Sequence, residues 1–151
     1  LGLLVACSSP APIDVPQEEP SEPPVVPPPP PDKPSTPINR VDIVYFHPKI
    51  RCGSCLSVEL RTKDVVDSFF KEAVDSGKLT FQSHELQDEQ NAGIIKKYGP
   101  VGSQLFITII KNGNEDIRHV QEVWMPQLLN DGVAFDDFMQ DLISQSLEEV
   151  S

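Results

Sequence analysis

Apolar residues along this chain change period several times, and each change marks an element. Val41 to His47 is apolar on both faces and rich in β-branched and aromatic residues, which predicts a buried central strand ended by Pro48. Leu56, Leu60, Val65, Val66, Phe69, Phe70 and Val74 then recur near 3.6-residue spacing, predicting one helical region that stops at Gly77. From Lys78 to Leu86 the period is two, with Leu79 and Phe81 alternating against Thr80 and Gln82, so a second strand is expected. Asp88 to Tyr98 reads as a polar helix with Ile94, Ile95 and Tyr98 inward, closed by Gly99-Pro100. Leu105 to Ile110 is a third strand. Lys111-Asn112-Gly113-Asn114 is a hairpin signal, because Asn-Gly accepts the positive φ of a tight turn. Ile117 to Val123 reads as a fourth strand. Phe135, Phe138, Met139, Leu142, Ile143 and Leu147 form the apolar face of a last helix.

The order is β-α-β-α-β-β-α. The first two strands flank a helix and should pair in parallel through a crossover, and the last two should form a hairpin. An α/β fold with a four-stranded mixed sheet in the order 2-1-3-4, and helices on both faces, satisfies both conditions.

Composition divides the chain in two. All but three of its 16 prolines precede residue 38. Residues 8–40 therefore read as a proline-rich disordered linker. Proline fixes φ and removes donors, so an extended polyproline II spacer is expected, residues 8–38 reaching up to ~95 Å at ~3.1 Å per residue. Residues 41–151 form the predicted domain, long enough to bury a core without a staple. Two of the 12 Lys and Arg and five of the 23 acids precede residue 41, leaving 18 acids against 10 cations in the domain. No basic stripe is available for phosphates, which excludes a nucleic-acid partner.

Leu1 to Cys7 is short and apolar and ends in small residues, and Pro10 and Pro12 follow at once. It reads as the tail of a secretory signal whose charged start lies before residue 1. Leu4-Val5-Ala6-Cys7 resembles the lipobox of prokaryotic lipoproteins, which implies lipidation of Cys7 and an extracytoplasmic domain on a cell membrane, or on the outer membrane of a diderm organism. Membrane contact is expected through that lipid alone, since no run reaches the ~18–20 apolar residues of a spanning helix.

Cys52-Gly53-Ser54-Cys55 sits where the first strand gives way to the first helix. That is the layout thiol–disulfide chemistry needs. Cys52 should lie at the helix N-terminus, where free backbone N–H groups and the dipole favour a thiolate, and Arg51 and Lys49 add positive charge. Cys55, one turn on, would resolve the mixed disulfide. Two other readings stay open: a structural disulfide in an exported protein, and a zinc or copper site with His47 as third ligand, although a closed zinc site wants four ligands. His84 and His119 read as surface or satisfied strand residues. Trp124-Met125 is expected to pack under the last helix, and Asp136, Asp137 and Asp141 to form its solvated face.

Gly77-Lys78-Leu79-Thr80, Gln90-Asn91, Lys97-Tyr98-Gly99 and Lys111-Asn112-Gly113 follow the Cys pair in the order and approximate spacing of thioredoxins. The similarity spans about Val41 to Leu147. Tyr45-Phe46-His47, Arg51-Cys52, Cys55, Glu59, Lys97-Tyr98 and Val123-Trp124 also resemble the ArsF-type thioredoxin-like family labelled nitrophenyl compound nitroreductase subunit. The resemblance implies a thioredoxin-like fold. No G-x-G-x-x-G fingerprint accompanies it, so no flavin or nicotinamide cofactor is expected. Thioredoxins carry a cis-proline before the third strand and a buried Asp in the first. Here Ser103 or Gln104 takes the first place, and Val44, Tyr45 or Phe46 the second. The expected function is that of a lipid-anchored thioredoxin-like protein exchanging disulfides with a protein partner. The alternative is a binding lipoprotein in which the Cys52–Cys55 disulfide is permanent.

Overall fold

The computed structural model describes residues 39–151 together with Gly2. The predicted signal segment with Cys7, and the linker up to residue 38, lie outside the described residues. The elements run β1 (Arg40–His47), α1 (Gly53–Phe69), α2 (Lys71–Asp75), β2 (Leu79–Glu85), α3 (Ala92–Tyr98), β3 (Gln104–Lys111), β4 (Asn114–His119), α4 (Pro126–Asn130) and α5 (Gly132–Glu149).

β1 lies inside the sheet because neither of its faces can meet water. Val41, Ile43 and Tyr45 point to one side and Val44 and Phe46 to the other, all of them buried. It pairs in parallel with β2 and antiparallel with β3, and β3 pairs antiparallel with β4. The sheet order is 2-1-3-4, as the element pattern predicts. One face carries the larger core, where Ile43, Tyr45, Leu105 and Ile107 meet Val58 and Val65 of α1 and Phe135, Met139 and Ile143 of α5. The other face carries Val44, Phe46 and Phe106 beneath Ile94, Ile95 and Tyr98 of α3. Helices thus cover both faces.

Local signals place the turns. Asn112 and Gly113 adopt φ of 54° and 79°, the left-handed pair the β3–β4 hairpin requires. Gly99, at φ 62°, ends α3 by donating its N–H to Ile95 O. Asp131 caps α5, its carboxylate accepting from the N–H of Val133 and Ala134.

Three predicted elements differ from those observed. The single helical region breaks at Phe70, where φ is −122°, and gives α1 and α2. Its buried stripe is Val58, Thr62, Val65 and Val66, whereas Leu56, Leu60, Phe69 and Val74 are exposed. Two apolar stripes at helical spacing share this stretch, and period alone does not say which one meets the sheet. The polar helix opens as a 3-10 turn over Glu89–Asn91, capped by Asp88, before α3 begins. The fourth strand ends at His119 rather than Val123. Val120 and Val123 are buried three residues apart around a 3-10 turn at Gln121–Trp124, so they carry the period of that turn.

Candidate functional site

The sheet ends where β1 stops, β3 starts and β4 stops, and the Cys pair is built there. Pro48 turns the chain out of β1, and the Lys49 N–H donates to Gln87 Oε1 at 2.8 Å. Cys52 follows as the N-cap of α1, with φ −81° and ψ 160°. Its carbonyl accepts the first helical bond from Leu56 N, at 3.0 Å. Its Sγ accepts from Cys55 N at 3.1 Å, in the place a capping oxygen takes in other helices. The sulfur therefore sits on the positive end of a 17-residue helix. Cys52 and Cys55 are joined as a disulfide, with Cα atoms 5.1 Å apart. Cys52 is exposed and Cys55 half-buried, so an incoming group meets Cys52 first.

Tyr45 anchors this turn to the sheet. Its hydroxyl donates to Cys55 O at 2.8 Å. Burial pushes the phenol up to about 12, with the neighbouring Ser103 hydroxyl pulling the other way. The donor stays protonated throughout the range in which thiols titrate.

Arg51 and Lys49, the two cations expected near Cys52, are placed differently from one another. Lys49 is exposed. Arg51 turns toward α1 and β1: its Nη1 meets a Glu59 carboxylate oxygen, its Nε lies 3.1 Å from His47 Nδ1, and its Nη2 lies against His47 Nε2. The other Glu59 oxygen accepts from Ser83 Oγ on β2. Glu59 keeps only 12% of its side chain exposed and Arg51 28%. His47 is buried, and its Nδ1 lies 3.1 Å from Pro48 O. Among the described residues, no group of three or more His, Cys, Asp or Glu could hold a metal.

The disulfide opens onto a cleft of ≈ 610 Å³ lined by Cys52, Ser54, Cys55, residues 101–104, His119, Gln121 and Trp124. Ser103 and Gln104, expected opposite the Cys pair, do face it across this cleft, and no cis peptide bond occurs among the described residues. Gln104 Oε1 accepts from Val101 N at 2.8 Å, and its Nε2 lies 3.2 Å from His119 Nε2. The His119 ring stacks on Phe106, with centroids 5.0 Å apart. Among the described residues, no carboxylate lines the cleft, although the domain is acidic.

His119, which read as a surface or satisfied strand residue, is the site residue that sequence reasoning missed, and it is joined there to Gln104, which stands where it was expected. Their partnership follows from the strand ends: His119 pairs with Phe106, so it reaches the mouth of the cleft as the last residue of β4. Trp124 packs partly against the core and lines the cleft as well, whereas Met125, expected to pack with it under the last helix, is exposed at the start of α4. His84 bonds Asn91 Oδ1 and Gln82 Oε1, a satisfied strand residue as anticipated. Asp136 pairs with Arg61 at 3.3 Å, while Asp137 and Asp141 are exposed.

No family model matches the chain, and no curated protein does. A solved structure described as that of a malarial protein is 15% identical over 54% of this chain and 82% of its own length, with a TM-score of 0.37. That likeness assigns neither fold nor function.

Proposed function

We propose that this domain is thioredoxin-like and exchanges disulfides with a protein partner through Cys52 and Cys55. The observation that carries the reading is the position of the pair. Its more exposed sulfur caps a helix N-terminus and opens on a cleft free of carboxylates. Each part suits thiolate chemistry: amide donors stabilise S⁻, and among the described residues no carboxylate lines the cleft to oppose it there.

From the oxidised state, a partner thiolate attacks Cys52 Sγ, the Cys52–Cys55 bond breaks, and Cys55 leaves as a thiolate. A second partner thiolate then attacks the mixed disulfide at the partner's own sulfur and releases Cys52. The partner gains a disulfide and the domain gains two electrons. The same steps in reverse reduce a partner disulfide.

A redox titration of the purified protein, with thiol quantitation, tests this. A catalytic pair is expected between about −120 and −270 mV, whereas resistance to reduction below about −300 mV would mark a permanent staple.

We also infer that the chain is a lipoprotein held to a membrane through Cys7. The lipobox-like Leu4-Val5-Ala6-Cys7 supports this, and no helix among the described residues is long and apolar enough to cross a membrane. Cys7→Ser is expected to move the protein from the membrane to the soluble fraction of expressing cells and to abolish fatty-acid labelling. Unchanged fractionation of that variant would end the lipid-anchor reading.

A further inference from the structure

The ion pair behind the disulfide takes no part in the exchange steps above. Arg51 is the residue next to Cys52, and its charge is the obvious tuner of that sulfur. In the fold, however, its Nε, Nη1 and Nη2 all face other partners: Glu59 on α1 and His47 on β1. Glu59 is held in turn from β2 by Ser83. The pair is largely shielded from water, so its Coulomb interaction is screened less than that of a surface pair. Glu59 also follows Cys55 by four residues on α1, which places both on one side of the helix. A carboxylate there opposes a thiolate, and a guanidinium there favours one.

We propose that Glu59 is a positioning residue that restrains the reactivity of Cys52, both by holding the Arg51 guanidinium on its own carboxylate and by setting a negative charge against the thiolate. The inference rests on the exchange reading of the Cys pair. Among the described residues, the other titratable groups that hydrogen bonds or the cleft lining place at the site are Tyr45 and His47 from β1 and His119 from the end of β4, with Lys49 exposed in the loop. None of these is a carboxylate, so Glu59 is the negative charge of the constellation. Removing that charge while keeping shape, as in Glu59→Gln, frees Arg51 to act on the sulfur. Removing Arg51 while keeping Glu59 leaves the carboxylate acting alone. Removing both returns the site to a neutral balance.

The test is the pH dependence of Cys52 alkylation in the reduced full-length chain, read by peptide mass so that Cys7 and Cys55 are counted separately. Opposite charges within reach shift thiols and carboxylates by about 1–3 pH units when desolvated, and half-buried groups by less. Glu59→Gln is expected to lower the Cys52 midpoint by at least about 0.5 unit, so that alkylation below the midpoint speeds up about threefold. Arg51→Gln is expected to raise the midpoint by a similar amount, and the double variant to return within about 0.3 unit of the parent. An unchanged midpoint in Glu59→Gln overturns the proposal, because a purely structural role alters melting without moving the thiol. Should Glu59→Gln not fold, Arg51→Gln against the double variant decides the matter: equal midpoints overturn the proposal, and a lower midpoint in the double supports it. These midpoints are independent of the measured potential. A permanent disulfide would defeat the exchange reading while leaving the link between Glu59 and Cys52 intact.

Discussion

Replacing Phe46 with alanine is expected to cost about 3–5 kcal/mol, a large share of the ~5–15 kcal/mol that holds a domain of this size together. Phe46 is fully buried on the face of the sheet that has the thinner cover. There the buried hydrophobic cluster is just Val44, Phe46 and Phe106, and α3 supplies seven residues above it. The Phe46 ring meets Tyr98 at 5.4 Å, Phe106 at 5.8 Å and His84 at 5.8 Å between centroids. Without it, Tyr98 loses one of its two aromatic neighbours and keeps Phe106, at 5.3 Å between centroids, and its hydroxyl bond to Thr108, at 2.7 Å. A helix of seven residues has little stability of its own, so α3 holds its place through this packing. Hydrogen exchange should therefore show residues 92–98 losing protection first, while α1 and α5 on the opposite face keep theirs. Chemical denaturation that showed a loss below about 1.5 kcal/mol, or exchange that rose equally in α1 and α3, would contradict this account.

That division between faces explains how much was legible in the chain. The run from Val41 to His47 is apolar at nearly every position, which only a strand covered on both sides explains, and the sheet order then followed from the crossover and the Asn-Gly hairpin. The Cys pair was legible for the same reason, since it sits where the period changes from two to 3.6. What could not be read is where one period yields several arrangements. Leu56 and Leu60 are spaced like Val58 and Thr62, yet the first pair is exposed and the second buried. Thr62 lies fully buried in the core stripe with its hydroxyl unpaired, a choice no hydrophobicity pattern would make. On the far side of the cleft Gln104 was legible but His119 was not, because its place depends on positions distant in the chain. His119 joins Gln104 at the cleft that Cys52 lines only after β3 and β4 are in register, and Arg51 finds Glu59 only after α1 has turned it inward. Sequence proximity suggested that Arg51 serves Cys52, whereas its bonds lead to α1 and β1.

Serine substitutions at the two cysteines are expected to give opposite outcomes, the largest functional effect available in this domain. Cys52→Ser removes the sulfur that caps α1 and faces the cleft, leaving the half-buried Cys55 behind it. Exchange with a disulfide partner should fall to background, because a hydroxyl is neither ionised nor nucleophilic at neutral pH. Cys55→Ser keeps the nucleophile and deletes the group that resolves it. Cys52 thiolate can still attack a partner disulfide, and the partner's second sulfur still leaves as a thiolate. The Cys52–partner bond then has no internal thiolate to displace it, so the complex accumulates. Non-reducing electrophoresis of cells expressing each variant, followed by mass identification of the cross-linked chain, reads the difference. The hydroxyl of Tyr45 reaches the carbonyl of residue 55 rather than its side chain, so the serine variant keeps that anchor, and similar melting of both variants separates chemistry from folding. Adducts from Cys55→Ser and none from Cys52→Ser establish Cys52 as the attacking sulfur. Adducts from neither, in a protein whose disulfide also resists reduction, would leave the pair as a staple across the first turn of α1.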